Sequence, residues 1–137
     1  MGDVWKPNKA LTRVELSACF TILDLEWNST KESDWEKRLK WIYKIIPEAV
    51  ELKDRPSTSL SGGQQKLIAL SRALMVGSKL LLLDEPSEGI APALTKRIID
   101  ILNDLKKEGV TTLIAESNAG HYEGMLDKSF VIERGQV

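Results

Sequence analysis

Two short stretches of this 137-residue chain combine residue types that bind phosphate groups and divalent cations. The first is a Ser-Gly-Gly-Gln run formed by Ser61, Gly62, Gly63 and Gln64. Ser61 and Gln64 have the spacing of a capping box, which predicts that a helix begins here. A helix start offers free backbone N–H groups and a positive dipole end, and glycines let an anion approach the backbone closely. The run is therefore a candidate phosphate-binding site, with a plain helix cap as the alternative.

The second stretch places two carboxylates directly after an apolar run. Leu80–Leu83 is a run of four leucines, and Asp84 and Glu85 follow it. An apolar run of this length predicts a strand buried on both faces, as in a parallel sheet, and α/β sheets bind ligands at the carboxyl ends of their strands. There an Asp suits Mg²⁺, which prefers oxygen ligands, and a Glu can polarise a water for attack on a phosphate. The alternative is a charged strand end that leads into a turn.

The rest of the pattern after residue 80 predicts helices that alternate with strands, which is typical of an α/β fold with parallel strands. One long helix has a proline in its first turn and a glycine just past its end, the usual places for these residues. The predicted segments are the helix Ala91–Glu108, the strand Val110–Ala115, a short helix at Ala119–Leu126, the strand Phe130–Ile132 and a turn at Arg134 and Gly135.

The part of the chain before residue 76 is predicted to be mostly helical. Apolar residues over 11–25 favour a partly buried helix. A second helix is predicted by apolar residues spaced four, three and four positions apart, namely Trp35, Leu39, Ile42 and Ile46. We therefore divide the chain into a lead-in segment (1–10), a helical subdomain that carries the Ser-Gly-Gly-Gln run (11–75) and a partial α/β core (76–137).

Composition excludes several classes of function. Lysine and arginine number 19 against 20 aspartates and glutamates, which disfavours nucleic-acid binding driven by phosphate attraction. The run Leu80–Leu83 is far shorter than the roughly 20 apolar residues that a membrane span needs. A single cysteine, Cys19, rules out a disulfide framework, and the N-terminus resembles no signal peptide. We therefore expect a cytoplasmic protein.

Taken together, the two stretches resemble the ATP-binding-cassette (ABC) ATPase family. Leu60–Gln65 (LSGGQQ) resembles the family's signature sequence, and Leu80–Pro86 (LLLLDEP) resembles its Walker B strand with the catalytic glutamate. Ser87–Pro92 (SEGIAP) is similar to the cassettes of branched-chain amino acid importers. The resemblance implies the C-terminal half of a P-loop NTPase domain: a helical signature subdomain plus a partial parallel sheet with flanking helices.

The same resemblance implies roles for the residues of both stretches. Ser61, Gly62, Gly63 and Gln64 would contact ATP, Asp84 would hold Mg²⁺ and Glu85 would orient the attacking water. A complete cassette would hydrolyse ATP to drive transport of amino acids, in partnership with a membrane subunit or a complementary ATPase half. The chain would then lie at the inner face of the cell membrane.

Two departures from the family pattern leave a second function open. The 137 residues contain no G-x-x-x-x-G-K-S/T loop to cradle the phosphates, so we expect the isolated chain to bind ATP weakly or not at all. Ser117 stands where the family usually has a histidine, and we interpret His121 as a surface residue. The alternative function is a non-catalytic interaction or coupling module derived from an ABC ATPase, with nucleotide binding lost.

The absent loop also leads to an expectation about assembly. In a complete cassette we expect the strand of the phosphate loop to run beside Leu80–Leu83, and without it that strand would have an open edge. An open edge favours a homo-oligomer, an exchange of elements, or cover by another segment, for which residues 1–25 are the nearest candidates.

Overall fold

The computed structural model describes residues 20–23, 32–76 and 79–136. Short 3₁₀ turns at Ser57–Ser59 and Ala119–Tyr122 supplement the helices and strands. In chain order the main elements are β1 (Phe20–Leu23), α1 (Glu32–Ile45), α2 (Glu48–Leu52), α3 (Gly62–Val76), β2 (Leu80–Asp84), α4 (Pro92–Lys107) and β3 (Thr111–Ala115). The predicted lead-in segment, 1–10, and Cys19 lie outside the described residues.

The described strands form one sheet in the order β1-β2-β3, with the predicted leucine strand at its centre. β3 runs parallel to β2, with Leu80 opposite Thr111 and Asp84 opposite Ala115. Leu81 and Leu83 are fully buried, whereas the alternate residues Leu80 and Leu82 are half-buried. The prediction of a strand is therefore confirmed, but the described residues cover only one of its faces completely.

β1 corrects two expectations. Phe20–Leu23 is a strand antiparallel to β2, so the helix predicted over 11–25 is wrong for these four residues, and they belong to the sheet rather than to a helical subdomain. Aromatic and β-branched residues fit a pleated sheet, and pairing with β2 satisfies the backbone groups of both strands. Because β1 and β3 flank β2, the expected open edge at Leu80–Leu83 does not exist. The expected alternative, cover of this edge by a segment within 1–25, is confirmed.

The helices pack around the sheet much as their patterns predict. Ile42 and Ile46 are buried where α1 and α2 meet α3, and Pro47 separates α1 from α2. α4 begins with Pro92 at its first position and ends before Gly109, whose φ of 84° is the left-handed conformation of a helix stop. The apolar stripe of α4 is buried in the same core, through Ile98, Ile101, Leu102 and Leu105.

One ion pair fastens α2 to α4. Two nitrogens of the Arg97 guanidinium, Nε and Nη2, donate to the carboxylate of Glu48. Nη2 also donates to the backbone oxygen of Ile45 at 3.2 Å. The hydrogen bond from Arg97 is the main reason that the pKa of Glu48 lies below its usual value. The helical segments and the α/β core are thus joined by a polar bridge as well as by apolar packing.

The C-terminal segment differs most from its sequence pattern. The helix predicted at Ala119–Leu126 is only the 3₁₀ turn, and the strand predicted at Phe130–Ile132 is wrong. Those three apolar side chains are about 70% exposed, and no described strand lies beside them to complete a ladder. The predicted turn is confirmed, since Arg134 and Gly135 both have positive φ and Glu133 bridges to Gln136.

Within the described ranges, every helix is too short or too polar to cross a lipid bilayer.

Candidate functional site

The start of α3 is the capping box that the sequence predicts. The backbone N–H of Ser61 donates to Gln64 Oε1 at 3.0 Å, and the backbone N–H of Gln64 donates to Ser61 Oγ at 3.3 Å. The first intrahelical bond runs from the Gln65 N–H to the Ser61 oxygen at 2.9 Å. The N–H groups of Gly62 and Gly63 precede that bond and have no helical acceptor. Because Ser61 and Gly62 are exposed, these donors can meet a ligand from solution.

Gly63 also has a packing reason to be glycine. A Cβ atom at this position would overlap the Cδ2 methyl of Leu94, in the first turn of α4, which would have to move, whereas one on Gly62 would meet nothing within 4 Å. The starts of α3 and α4 therefore touch through this glycine. Packing places no such restriction on Gly62.

The two predicted carboxylates lie at the carboxyl end of the central strand. Asp84 is the last residue of β2 and its side chain is exposed. Glu85 follows with a φ of 44°, a left-handed conformation that is uncommon for any residue with a Cβ. Its backbone N–H donates to the oxygen of Ala115 at 2.9 Å, which ties it to the end of β3.

Ser117 holds the side chain of Glu85. The Ser117 N–H donates to Glu85 Oε1 at 3.0 Å, and its Oγ donates to Oε2 at 3.4 Å. The neighbouring Glu116 carboxyl, which shares a hydrogen bond with Glu85, is the main cause that raises the pKa of Glu85 above its usual value. The residue that replaces the expected histidine thus contacts the proposed catalytic carboxylate directly.

Glu116 is a site residue that the sequence reasoning missed. Its Oε1 accepts from the Ser87 N–H at 2.9 Å, from Ser87 Oγ at 2.6 Å and from the Tyr122 hydroxyl at 3.2 Å. Burial by itself would raise the pKa of Glu116, but the hydrogen bonds from Ser87 outweigh it and hold that pKa low. Burial also raises the pKa of Tyr122 to about 12. The sequence contained a signal for this residue: Glu116 directly follows β3, and the carboxyl end of β3 lies beside that of β2, where ligands bind.

Lys66 connects the two predicted stretches. Its Nζ donates to the backbone oxygens of Glu85 and Pro86 at 3.0 Å and of Glu88 at 2.7 Å. Ser61 and Gln64 bond to each other, and the Glu85 carboxylate bonds to Ser117. In the described part of the chain the helix that carries the first stretch is therefore joined to the loop after the second by hydrogen bonds from the Lys66 side chain to backbone oxygens.

The side chains near the site determine which modes of cation binding are available. The described residues contain no group of three or more His, Cys, Asp and Glu side chains placed to hold a metal ion. Mg²⁺, however, is commonly held by one or two carboxylates together with substrate phosphates and waters. The exposed carboxylate of Asp84 fits that mode of binding, while His121 is an exposed residue of the 3₁₀ turn, as predicted.

Comparisons with known proteins all find members of one family. The family model described as "ABC transporter" matches residues 4–88. The chain is 36% identical over 108 residues to the high-affinity branched-chain amino acid transport ATP-binding protein BraG of Pseudomonas aeruginosa, a match that covers 79% of this chain and 46% of BraG. It is also 36% identical over 112 residues to the probable branched-chain amino acid transport ATP-binding protein LivG of Methanocaldococcus jannaschii, covering 82% of this chain and 43% of LivG. The chain thus spans less than half the length of these relatives.

Solved structures agree with this fold. The crystal structure of a nucleotide-free ATP-binding cassette from an ABC transporter superposes with a TM-score of 0.61 at 32% identity, over 75% of this chain and 40% of the cassette. A cassette in its ADP conformation gives a TM-score of 0.59 at 34% identity, over 71% of this chain and 37% of the cassette. The α/β architecture expected from the sequence is that of these cassettes.

Proposed function

Because the chain belongs to the ABC transporter family, we propose that it supplies the signature motif and the Walker B carboxylates of an ATP-binding subunit of an amino acid transporter. The observation that carries this proposal is a capped, solvent-facing helix start that Lys66 links to a strand-end loop bearing two carboxylates. Anion binding and water activation are the chemistries that these two features support.

In the proposed role each residue uses the contacts described above. The free N–H groups at Gly62 and Gly63 and the hydroxyl of Ser61 bind the γ-phosphate of ATP, and Gln64 holds the cap. Glu85, raised in pKa, accepts a hydrogen bond from the attacking water and orients it. Asp84 would hold Mg²⁺, which when bound supplies neutralisation of phosphate charge.

The alternative is a non-catalytic interaction or coupling module. It is favoured by one feature of the site: Ser117, which donates to both oxygens of Glu85, stands where the resemblance implies a histidine. The 137 residues also contain no phosphate-cradling loop, so the catalytic proposal requires that loop from another segment or polypeptide.

A chimera separates the two functions. In it, this chain replaces the matched segment of BraG, whose remaining residues are kept. The catalytic proposal expects Mg-ATP turnover that Ser61→Arg abolishes, because the new side chain fills the phosphate position, while Ser59→Arg adds the same side chain outside the helix start and retains turnover. The isolated chain is expected to bind Mg-ATP weakly or not at all by titration calorimetry. A folded chimera without turnover would favour the coupling module. Low-micromolar binding by the isolated chain would contradict the proposal that the phosphate-cradling loop must come from another segment or polypeptide.

We further propose that the chain works in the cytoplasm, at the inner face of the cell membrane, with a transporter membrane subunit as its partner. Support comes from the relatives, which are named as transport ATP-binding proteins. A complementary ATPase half is the second partner that the proposal requires, since it would carry the phosphate loop.

We also propose that the isolated chain forms a homodimer. The contact lies at the edge of β3, because β1 already pairs with the edge of β2 that was expected to be open. β3 is an edge strand of the described sheet, its five residues carry neither charge nor proline, and Leu113 is 59% exposed. Sedimentation equilibrium at tens of micromolar is expected to give twice the 15.3 kDa chain mass. Leu113→Lys should restore the monomer by placing charge on the edge, and a monomeric wild-type chain with a cooperative thermal transition would refute the proposal.

A further inference from the structure

We propose that Lys66 is a positioning residue that holds the Glu85–Glu88 loop in its strained conformation and joins it mechanically to the start of α3. This inference rests on the proposed function only in giving Glu85 its catalytic role. The position of Lys66 against the loop is shown by its hydrogen bonds. Its ammonium group, one turn into α3, donates to three backbone oxygens of the loop after β2.

The three hydrogen bonds use the full donor capacity of the ammonium group. Lysine has three N–H donors and no acceptor, and each of the three points to a different carbonyl, on Glu85, Pro86 and Glu88. Charge-assisted hydrogen bonds of this kind are stronger than neutral ones. Only a long cationic side chain, lysine or arginine, offers three or more donors to carbonyls that converge on one point.

The loop needs such a restraint because Glu85 has a φ of 44°. A non-glycine residue in this region carries a backbone cost and persists only where the surroundings impose it. On one side the Glu85 N–H is bonded to Ala115, and on the other the Glu88 N–H closes a turn onto the Glu85 oxygen at 3.2 Å. That same Glu85 oxygen accepts from Lys66, so the lysine fixes the peptide that leads out of the strained residue.

The electrostatic surroundings also favour a lysine here. Burial lowers the pKa of Lys66, and the carboxylates of Glu88, Glu116 and Glu85 counteract part of that effect. The ammonium group is half-buried beneath these acidic residues, where it offsets their mutual repulsion. Removal of its charge would therefore disturb both the backbone of the loop and the environment of Glu85.

The mechanical consequence follows from the position of Lys66 in α3. The residue lies three positions after Gly63, so any shift of the helix start towards a bound anion moves the three carbonyls as well. The backbone that sets the direction of the Glu85 side chain is thereby tied to the anion-binding end of α3.

Amide hydrogen exchange and NMR of the 137-residue chain test this inference without a nucleotide. Lys66→Met keeps the length of the side chain and removes its donors. We expect the Ser87 and Glu88 amides to exchange about tenfold faster or more. We also expect a changed HN–Hα coupling at Glu85 and no change at Ile101 in the centre of α4.

Two further variants give the experiment its controls. Lys66→Arg retains the donors and should restore most of the protection, and Lys96→Met removes an exposed lysine of α4 and should leave the loop as it is. Unchanged exchange and coupling in Lys66→Met would overturn the proposal. Equal acceleration at Ile101 would also overturn it, because that result means a general loss of stability rather than positioning.

If Lys66→Met is too unstable for NMR, a double-mutant cycle with Glu85→Gly decides the question from unfolding curves. Glycine adopts a positive φ without cost, so the restraint by Lys66 should matter less in that background. We expect Lys66→Met to raise the unfolding equilibrium constant about tenfold in the wild-type background but only about threefold or less with Glu85→Gly. Equal effects in both backgrounds would refute the positioning role.

In the BraG chimera, Lys66→Met is expected to lower kcat and leave KM unchanged. If Glu85→Gln abolishes turnover and Lys66→Met does not alter it, the positioning role fails and the proposed function stands. If Glu85→Gln leaves turnover intact, the proposed function fails, and the exchange experiment still decides whether Lys66 holds the loop.

Discussion

Replacement of Glu85 by Gln in the BraG chimera is expected to lower ATP turnover by about 100-fold or more. The substitution keeps the shape of the side chain but removes the carboxylate that accepts a proton from the attacking water. The pKa of Glu85 is raised by its neighbour Glu116, which makes it a better base near neutral pH than an ordinary glutamate. Steady-state turnover with Mg-ATP measures the effect, and nucleotide affinity should stay within about threefold because Gln retains polar contacts.

Glu88→Gln is the matched control for this prediction. Glu88 is an exposed carboxylate in the same loop; its hydrogen bond with Lys66 uses the backbone oxygen, and its side chain acts on Lys66 only through its charge. Turnover of that variant should remain within about twofold of the parent chimera. Intact turnover in Glu85→Gln would remove Glu85 from the role of base and leave Glu116 as the nearest other carboxylate.

The second large effect concerns stability: Leu81→Ala should lower the free energy of unfolding by about 3 kcal/mol. Leu81 is one of the two buried leucines of β2 and has no exposed surface, so truncation leaves a cavity between the sheet and the helices. Small domains have only about 5–15 kcal/mol of stability in total, so this single change removes a large part of it. Urea unfolding followed by circular dichroism gives the difference directly.

Leu113→Ala provides the comparison. Leu113 pairs with Leu82 on the neighbouring strand, has the same chemistry as Leu81 and is 59% exposed. Its truncation should change the free energy of unfolding by about 0.5 kcal/mol or less. A loss at Leu113 equal to that at Leu81 would mean that the exposed face of β3 is covered in solution, which a homodimer joined along the strand edge does not require. A loss at Leu81 below about 1 kcal/mol would contradict the core assignment itself.

The capping box and the leucine strand could both be predicted from the sequence, and both are confirmed. The reason is that each depends on short-range geometry. Ser61 and Gln64 meet because they are three residues apart at a helix start, and four consecutive leucines can scarcely be placed anywhere but in a core. The stop of α4 at Gly109 is local in the same way, since only the backbone of that residue is involved.

The tertiary structure decided what lies beside each of these segments. Phe20–Leu23 was predicted to be helical and forms a strand because the edge of β2, almost 60 positions later in the chain, offers it hydrogen bonds. Phe130–Ile132 has a strand-like composition but no described neighbour to pair with, so it forms no strand and its side chains stay exposed.

The site also has a part that the sequence predicted and a part that only the tertiary structure revealed. Residue types and spacing alone pointed to Ser61, Asp84 and Glu85. The contacts that hold Glu85 come from Lys66, 19 positions before it, and from Ser117, 32 positions after it. Side chains that meet across such distances are brought together by strand order and helix packing. The sequence by itself therefore determined which groups could do the chemistry and the local partner of Ser61, and only the fold determined which distant partners hold Glu85 in place.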